Sequence, residues 1–391
     1  MNTGLLLFLF LLALALGWFL GFHSKQTRSR QEAALPRGEG VKHRLQLFLD
    51  SYTDDALDQF LHSLEVSPET LGLHISIGKH FRTQGEVEKA ILVHQNLMSH
   101  PELSDQVSEP VVYELAKDYL VAGLYDRAEA LLKQLLDSKA FRLKSRKLLL
   151  DIYERERDWD DAVSVGLTID LKKNPEFKTR LAHYCCEIAE DERRNRALVD
   201  ARRSLAKALS FDKTCVRAYL ELAKLERDQG NYRASIKQLR ELVALSPADT
   251  SLALPLLFEC SEASDSFENY QSYLEHVYHQ TGQVNVMLAI VEALLAQDKH
   301  DEAYQFLEAE ALKSPSVSAL DALLKHRAEL EQGMSEQTLT VMTEVIAKVR
   351  SDKAAYQCIQ CGFSGQHLHW MCPSCKSWQT IKPLIEYETS V

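Results

Sequence analysis

The chain has 391 residues, a formal net charge of −11, 8% aromatic residues, and only 15 glycines and 10 prolines. So acidic a protein lacks the concentrated basic face that binds phosphate backbones, which sets aside nucleic acid as the expected partner. Sparse turn-forming residues favour long helices over a turn-rich β fold, and eight cysteines in so long a chain are too few for a disulfide scaffold.

From Gly4 to Phe22 there is no charged side chain, and the run is rich in Leu, Phe and Ala. At about 1.5 Å per residue a helix of this length spans roughly one bilayer core. A cleaved signal peptide is the lesser reading, because Met1, Asn2 and Thr3 offer no basic stretch ahead of the apolar run. Lys25, Arg28 and Arg30 follow it instead, so the positive-inside rule keeps the body of the chain in the cytoplasm. The expectation is a single transmembrane anchor over residues 1–23. A juxtamembrane tether over 24–45 follows, broken up by Pro36, Gly38 and Gly40.

Beyond the tether the segment Gly85 to Ala90 (GEVEKA) returns as Gly123 to Ala128 (GLYDRA) and Gly230 to Ser235 (GNYRAS). Aligning on the last residue of that box picks out Ala56, Ala90, Ala128, Ala162, Ala201, Ser235, Tyr270 and Ala303, mostly 33 to 35 residues apart. A period near 34 is that of the tetratricopeptide repeat, and Ile77, Gly78, Phe81, Gly85, Ala90 and the nearby Pro101 occupy its expected places in the second repeat. About eight repeats are predicted over 46–350. In such repeats small residues let the two helices of a hairpin approach, and stacked hairpins form a superhelix with a concave binding face. Repeats six and seven depart from the pattern, with Asp265 and Asp298 where glycine is usual.

Arg193, Arg194, Arg196, Arg202 and Arg203 make a basic cluster that could receive an acidic partner, although a solvated face neutralised by Asp191, Glu192 and Asp200 is the better-supported reading. Cys185, Cys186, Cys215 and Cys260 read as small packing residues within helices.

The C-terminal segment has a different character. Cys358-Ile-Gln-Cys361-Gly-Phe is followed, with ten residues between Cys361 and Cys372, by Cys372-Pro-Ser-Cys375. Two Cys-x-x-Cys turns this close can present four thiolates tetrahedrally to one ion, so Cys358, Cys361, Cys372 and Cys375 are assigned as ligands, in preference to a redox dithiol or a disulfide. Gly362 suits the tight turn after the first pair, and His367 and His369 are reserve ligands. Iron and zinc both accept this donor set. Four thiolates leave no open position for substrate water, which argues against a catalytic metal. So short a module, 355–391, needs the metal together with Tyr356, Phe363, Trp370 and Trp378 to hold its fold. Phosphate-binding loops, dinucleotide fingerprints, zincin and nucleophile-elbow motifs are all missing from the sequence, so the chain is read as a non-enzyme with no catalytic residue to assign.

The order of these parts resembles the lipopolysaccharide assembly protein B family (LapB, also called YciM) of Gram-negative bacteria. The run from Tyr356 to Pro383, the segment Phe81-Arg-Thr-Gln-Gly-Glu-Val and the segment from Asp118 to Glu129 carry the likeness most specifically. The resemblance implies a single-pass inner-membrane protein with its bulk on the cytoplasmic side: an all-α chain of tetratricopeptide repeats with a small rubredoxin-like domain that holds one iron, or alternatively zinc, and docks on the repeats. It also implies an adaptor that works with the membrane protease FtsH to promote destruction of the lipid A deacetylase, thereby limiting lipopolysaccharide synthesis. A scaffold that gathers lipopolysaccharide assembly and export membrane proteins is the alternative, and self-association is left open.

Overall fold

A computed structural model describes residues 70–99, 105–313, 316–329 and 354–384. The expected anchor, the tether, the first repeat around Ala56 and the boundary at 350 lie outside the described residues. No described helix is long and apolar enough to cross a membrane.

The chain divides into two compact units, one ending at Ser145 and the other starting at Arg146. In the first, α1 (Leu71–Gln84) pairs with α2 (Val87–Met98), and α3 (Asp105–Val121) with α4 (Tyr125–Gln134). The division falls within α5 (Arg142–Glu156), which forms a hairpin with α6 (Trp159–Leu167). The second unit continues with α7 (Glu176–Arg194), α8 (Leu198–Phe211), α9 (Val216–Asp228), α10 (Tyr232–Leu245), α11 (Thr250–Ala263), α12 (Phe267–Thr281), α13 (Val284–Leu295), α14 (His300–Lys313) and α15 (Val317–Glu329). A 3-10 turn, Pro247–Asp249, leads into α11.

The repeat box explains the hairpins. Ala90, Ala128, Ala162, Ala201, Ser235, Tyr270 and Ala303 each sit in the second helix of a pair, and all are buried. Neighbouring core residues follow at helical spacing, as with Ala201, Leu205 and Ala208 on α8. Close approach is visible at Gly78, where an added Cβ would lie 2.4 Å from the imidazole of His94 on the opposite helix, and at Gly166, where it would lie 2.1 Å from the Leu181 side chain. The four cysteines outside the knuckle are all buried, as expected of packing residues.

Each hairpin turns through one residue in the left-handed region. Gly85, Gly123 and Gly230 serve in three of them; Arg157, Arg196, Asp265 and Asp298 adopt the same conformation in the other four, at φ between 49° and 60°. The aspartates that departed from the repeat pattern thus keep its geometry, with the backbone of an L-residue carrying the cost.

In the first unit an ionic network crosses between the two hairpins. Arg82 on α1 donates to Asp118 Oδ1 at 2.7 Å and Glu114 Oε2 at 2.6 Å on α3, while Asp118 Oδ2 meets His94 Nδ1 on α2. Asp118 and His94 are fully buried. Arg82 and Asp118 fall in the two repeat segments that carried the family likeness, but their pairing was not foreseen.

The expected all-α class holds for the hairpins. The C-terminal segment adds a small antiparallel sheet in the order β2-β1-β3, formed by β1 (Tyr356–Cys358), β2 (Ser364–Gly365) and β3 (Ile381–Pro383). Cys358 pairs with Ile381 in this sheet.

The turn geometry yields a paired stability test. A Cβ at Gly230 meets no atom within 4 Å, so Gly230→Ala should lose about 1 kcal/mol through its left-handed backbone alone. Arg157→Gly should move the other way, gaining about 0.5 kcal/mol. Urea unfolding of both variants measures the difference, and equal midpoints would contradict it.

Candidate metal centre and its seat on the hairpins

The two Cys-x-x-Cys turns are built alike. Gly362 N–H donates to Cys358 O at 3.0 Å, and Lys376 N–H to Cys372 O at 2.9 Å. Cys358 N–H donates to Phe363 O, and Cys372 N–H to Ser377 O, at the corresponding positions. Gly362 and Lys376, each directly after the second cysteine of its turn, are both left-handed, at φ 76° and 58°. Backbone N–H groups of Gln360 and Cys361 point at the Cys358 sulfur, and those of Ser374 and Cys375 at Cys372. Each turn is therefore a claw that stabilises negative charge on its first sulfur.

The claws bring all four predicted thiols together, with every Sγ within 4.8 Å of the others. Cys358 and Cys375 are 3.8 Å apart, and Cys361 and Cys372 are 3.7 Å apart. A regular tetrahedron with metal–sulfur bonds of about 2.3 Å has edges of about 3.8 Å, so the donor set fits one ion of this kind. Among the described residues no other group of this sort is gathered, and His367 and His369 stand apart from it. Thr380, with its hydroxyl 3.3 Å from Cys358 Sγ, holds that thiol down to about 6, whereas burial pushes Cys372 up to about 11. The site could bind a metal; its donor set suits iron and zinc alike.

The knuckle's own core is Cys358, Cys372 and Ile381, with Tyr356, Phe363, Leu368 and Cys375 around them. Trp370 and Trp378, expected to help this module hold its fold, face the hairpins. Trp370 packs against the core of α9–α15 and lies under the Arg217 guanidinium at 5.8 Å. Trp378 stacks on His183 of α7, with centroids 4.8 Å apart, and meets Tyr184 edge-on. A module this small has too little interior for two indoles, so they are buried against a neighbour.

Polar contacts fix the seat. Trp378 Nε1–H donates to Glu154 Oε1 at 2.9 Å, and the same oxygen accepts from Tyr184 Oη and Arg180 Nε. Gln379, left-handed at φ 58°, accepts from His183 Nε2 at 3.2 Å and donates to Thr214 O at 3.1 Å. Lys382 Nζ reaches Asp249 Oδ2 at 2.6 Å. The receiving groups lie on first helices of hairpins or in the turns leading into them. None of Glu154, His183, Thr214 or Asp249 was singled out from the sequence, because their partners lie 133 to 224 residues away. Trp378 and Thr380-Ile-Lys-Pro383 were noticed only as part of the family likeness.

Four of the five arginines of the basic cluster resolve into ion pairs: Arg193 with Asp228, Arg194 with Glu190 and Asp191, Arg202 with Glu226, and Arg203 with Asp200. That is the solvated, neutralised face, with Asp191 and Asp200 in the expected role.

His183 gives the seat a pH dependence. Burial, the Arg217 guanidinium and Lys382 push its pKa down to about 3 from 6.5, against the opposing pull of Gln379 and Asp212. Above about pH 6.5 the imidazole is neutral whether or not the knuckle is seated; below it, a freed imidazole takes a proton that the seated one refuses. Seating should therefore weaken as the pH falls from 6.5 to 5.5, by less than a free histidine would give because the Arg217 guanidinium stays beside the imidazole on α9. Indole fluorescence over this range follows it, and the slope should flatten in His183→Gln; a seat indifferent to pH down to 5.5 would refute the assignment.

Comparison with known proteins agrees with these parts. Residues 356–383 match the family described as the Rubredoxin metal binding domain, and residues 113–173 match the Tetratricopeptide repeat. The chain is 29% identical to lipopolysaccharide assembly protein B of Escherichia coli K12, over 97% of this chain and 98% of that protein. It is also 29% identical to the protein of the same name from Haemophilus influenzae, over 98% and 99%. A solved tetratricopeptide repeat protein from Parabacteroides merdae covers 71% of the chain and is itself covered over 99%, at 15% identity and a TM-score of 0.34. Along nearly its whole length, then, the chain is similar to the lipopolysaccharide assembly protein B proteins, and it combines tetratricopeptide-type hairpins with a C-terminal segment that matches the rubredoxin metal-binding domain.

Proposed function

We propose that this protein is a membrane-anchored cytoplasmic adaptor that limits lipopolysaccharide synthesis by promoting FtsH-dependent degradation of the lipid A deacetylase. The observation that carries a role in lipopolysaccharide assembly is the likeness to proteins of that name over 97% of the chain. The route through proteolysis rests on the family resemblance and on physical coherence. Helical hairpins offer extended binding faces without a catalytic centre. An apolar run such as Gly4 to Phe22 would confine those faces to the same surface as a membrane protease, raising effective concentration without further contact area. In this reading Cys358, Cys361, Cys372 and Cys375 hold one iron or zinc ion, which supplies the cross-link that a small module needs to fold. The residues themselves shape the claws and present Trp378 to the hairpins.

A second reading is favoured by the word "assembly" in the relatives' name: a platform that gathers lipopolysaccharide assembly or export membrane proteins and leaves protein lifetimes alone. The two separate on the half-life of the lipid A deacetylase after translation is blocked. Depletion of this protein should lengthen that half-life at least several-fold, and Cys358→Ser with Cys361→Ser should reproduce the depletion. An unchanged half-life, with the deacetylase merely relocated, would favour the platform.

A further inference from the structure

The segment Ser377–Lys382 has two sides, each bound to a different body. Toward the claws, Ser377 O accepts from Cys372 N–H at 2.9 Å and Thr380 O from Ile359 N–H at 2.8 Å. Gln379 N–H donates to Trp370 O at 2.7 Å, and Ile381 pairs with Cys358 in the sheet. Toward the hairpins, Trp378 reaches Glu154, Gln379 reaches His183 and Thr214, and Lys382 reaches Asp249. The left-handed backbone at Lys376 and again at Gln379 gives the segment the bends that turn alternate groups to opposite sides.

We propose that Glu154, His183 and Asp249 are positioning residues of the metal centre, and that metal occupancy and the seating of the knuckle on the hairpins are one coupled equilibrium. The inference rests on the reading of the four cysteines as metal ligands. Hydrogen-bonded partners behind a metal's ligands set how tightly the ligands are held. Here those partners extend from the claws through six residues to a preformed receptor. Glu154 Oε1 is already fixed by Tyr184 and Arg180, with Arg180 also tied to Asp151 at 2.9 Å. The carboxylate therefore waits in place for the indole N–H whether or not the knuckle is seated. A module with a core of three buried residues cannot keep the segment shaped without its metal, so loss of the ion lets Trp378 and Gln379 withdraw. Reciprocity then requires that the hairpins, by holding the seated segment, raise the affinity for the ion by the same factor. Loss of metal also uncovers a face on α5, α7 and α9 that offers a carboxylate for an indole N–H, a neutral imidazole and, beside Trp370, a guanidinium.

The test loads the full-length protein with zinc and follows its release to a chromogenic chelator at pH 7.5. Glu154→Gln and, from the knuckle side, Trp378→Phe should each release zinc at least about tenfold faster than wild type, the size of effect seen when groups behind metal ligands are removed. Lys382→Gln breaks only the contact to Asp249, serves if either of the others fails to fold, and should also speed release. In the opposite direction, stripping zinc from the wild type should raise amide hydrogen exchange in α7 around His183 while leaving α13 and α14 unchanged. One zinc per chain with release at the wild-type rate in all three variants would overturn the coupling and leave the metal reading standing. A wild-type chain that takes up no zinc and no iron would overturn both.

Discussion

One oxygen, Glu154 Oε1, organises the second unit. It accepts from Trp378, Tyr184 and Arg180, the Arg180 Nε–H being shared with the Tyr184 oxygen at 3.0 Å, a crowding that an oxygen with two lone pairs and half of a carboxylate's negative charge accommodates. Burial pushes the Tyr184 phenol well above its ordinary value, and the neighbouring carboxylates hold the Arg180 guanidinium firmly charged. The phenol and the guanidinium are thus both held in their donor states. Around this oxygen the aromatic rings of Trp159, Tyr184, His183 and Trp378 pack stacked or edge-on, an arrangement that follows from their quadrupoles and excludes water from the polar core.

The first unit is organised by a different charge cluster with the same logic. Asp118 is wholly buried and is shared between Arg82 and His94. A buried carboxylate is tolerable only when its lone pairs are occupied, and removing one partner of such a pair costs about 3–5 kcal/mol. Glu114 extends the cluster outward to Lys79 and Lys117, and these cations together with Arg82 hold its carboxyl below the usual range. Apolar packing alone would allow helices to slide along one another; an ion cluster at a fixed position does not, so it sets the register of the two hairpins.

The seat of the knuckle shows why a small metal-binding module is useful on a repeat array. Hairpins of this type expose the faces of their first helices, and such faces accept extended segments. Here one such segment belongs to the chain itself and is shaped by the claws of Cys358, Cys361, Cys372 and Cys375. The same construction explains the odd distribution of aromatics in the knuckle. Phe363 and Tyr356 serve its interior, while Trp370 and Trp378 serve the contact with the hairpins.

The sequence by itself determined the parts that depend on neighbours along the chain. The helical period of about 34 residues set out the hairpins, because each small residue in the repeat box packs against a helix only a few residues away. The two Cys-x-x-Cys turns picked out the four thiols that the fold gathers, because three-residue spacing within a turn already aims both sulfurs inward. Tertiary structure alone decided the rest. Arg82 with Asp118, Glu154 with Trp378 and Asp249 with Lys382 are separated by 36, 224 and 133 residues, and no periodicity relates such partners. It also placed Trp370 and Trp378 on the side of the knuckle that faces the hairpins, and resolved most of the arginine run into paired charges. The difference is physical: local hydrogen-bond geometry is written in short spacings, whereas the burial of charge and indole depends on which surfaces the finished fold brings together.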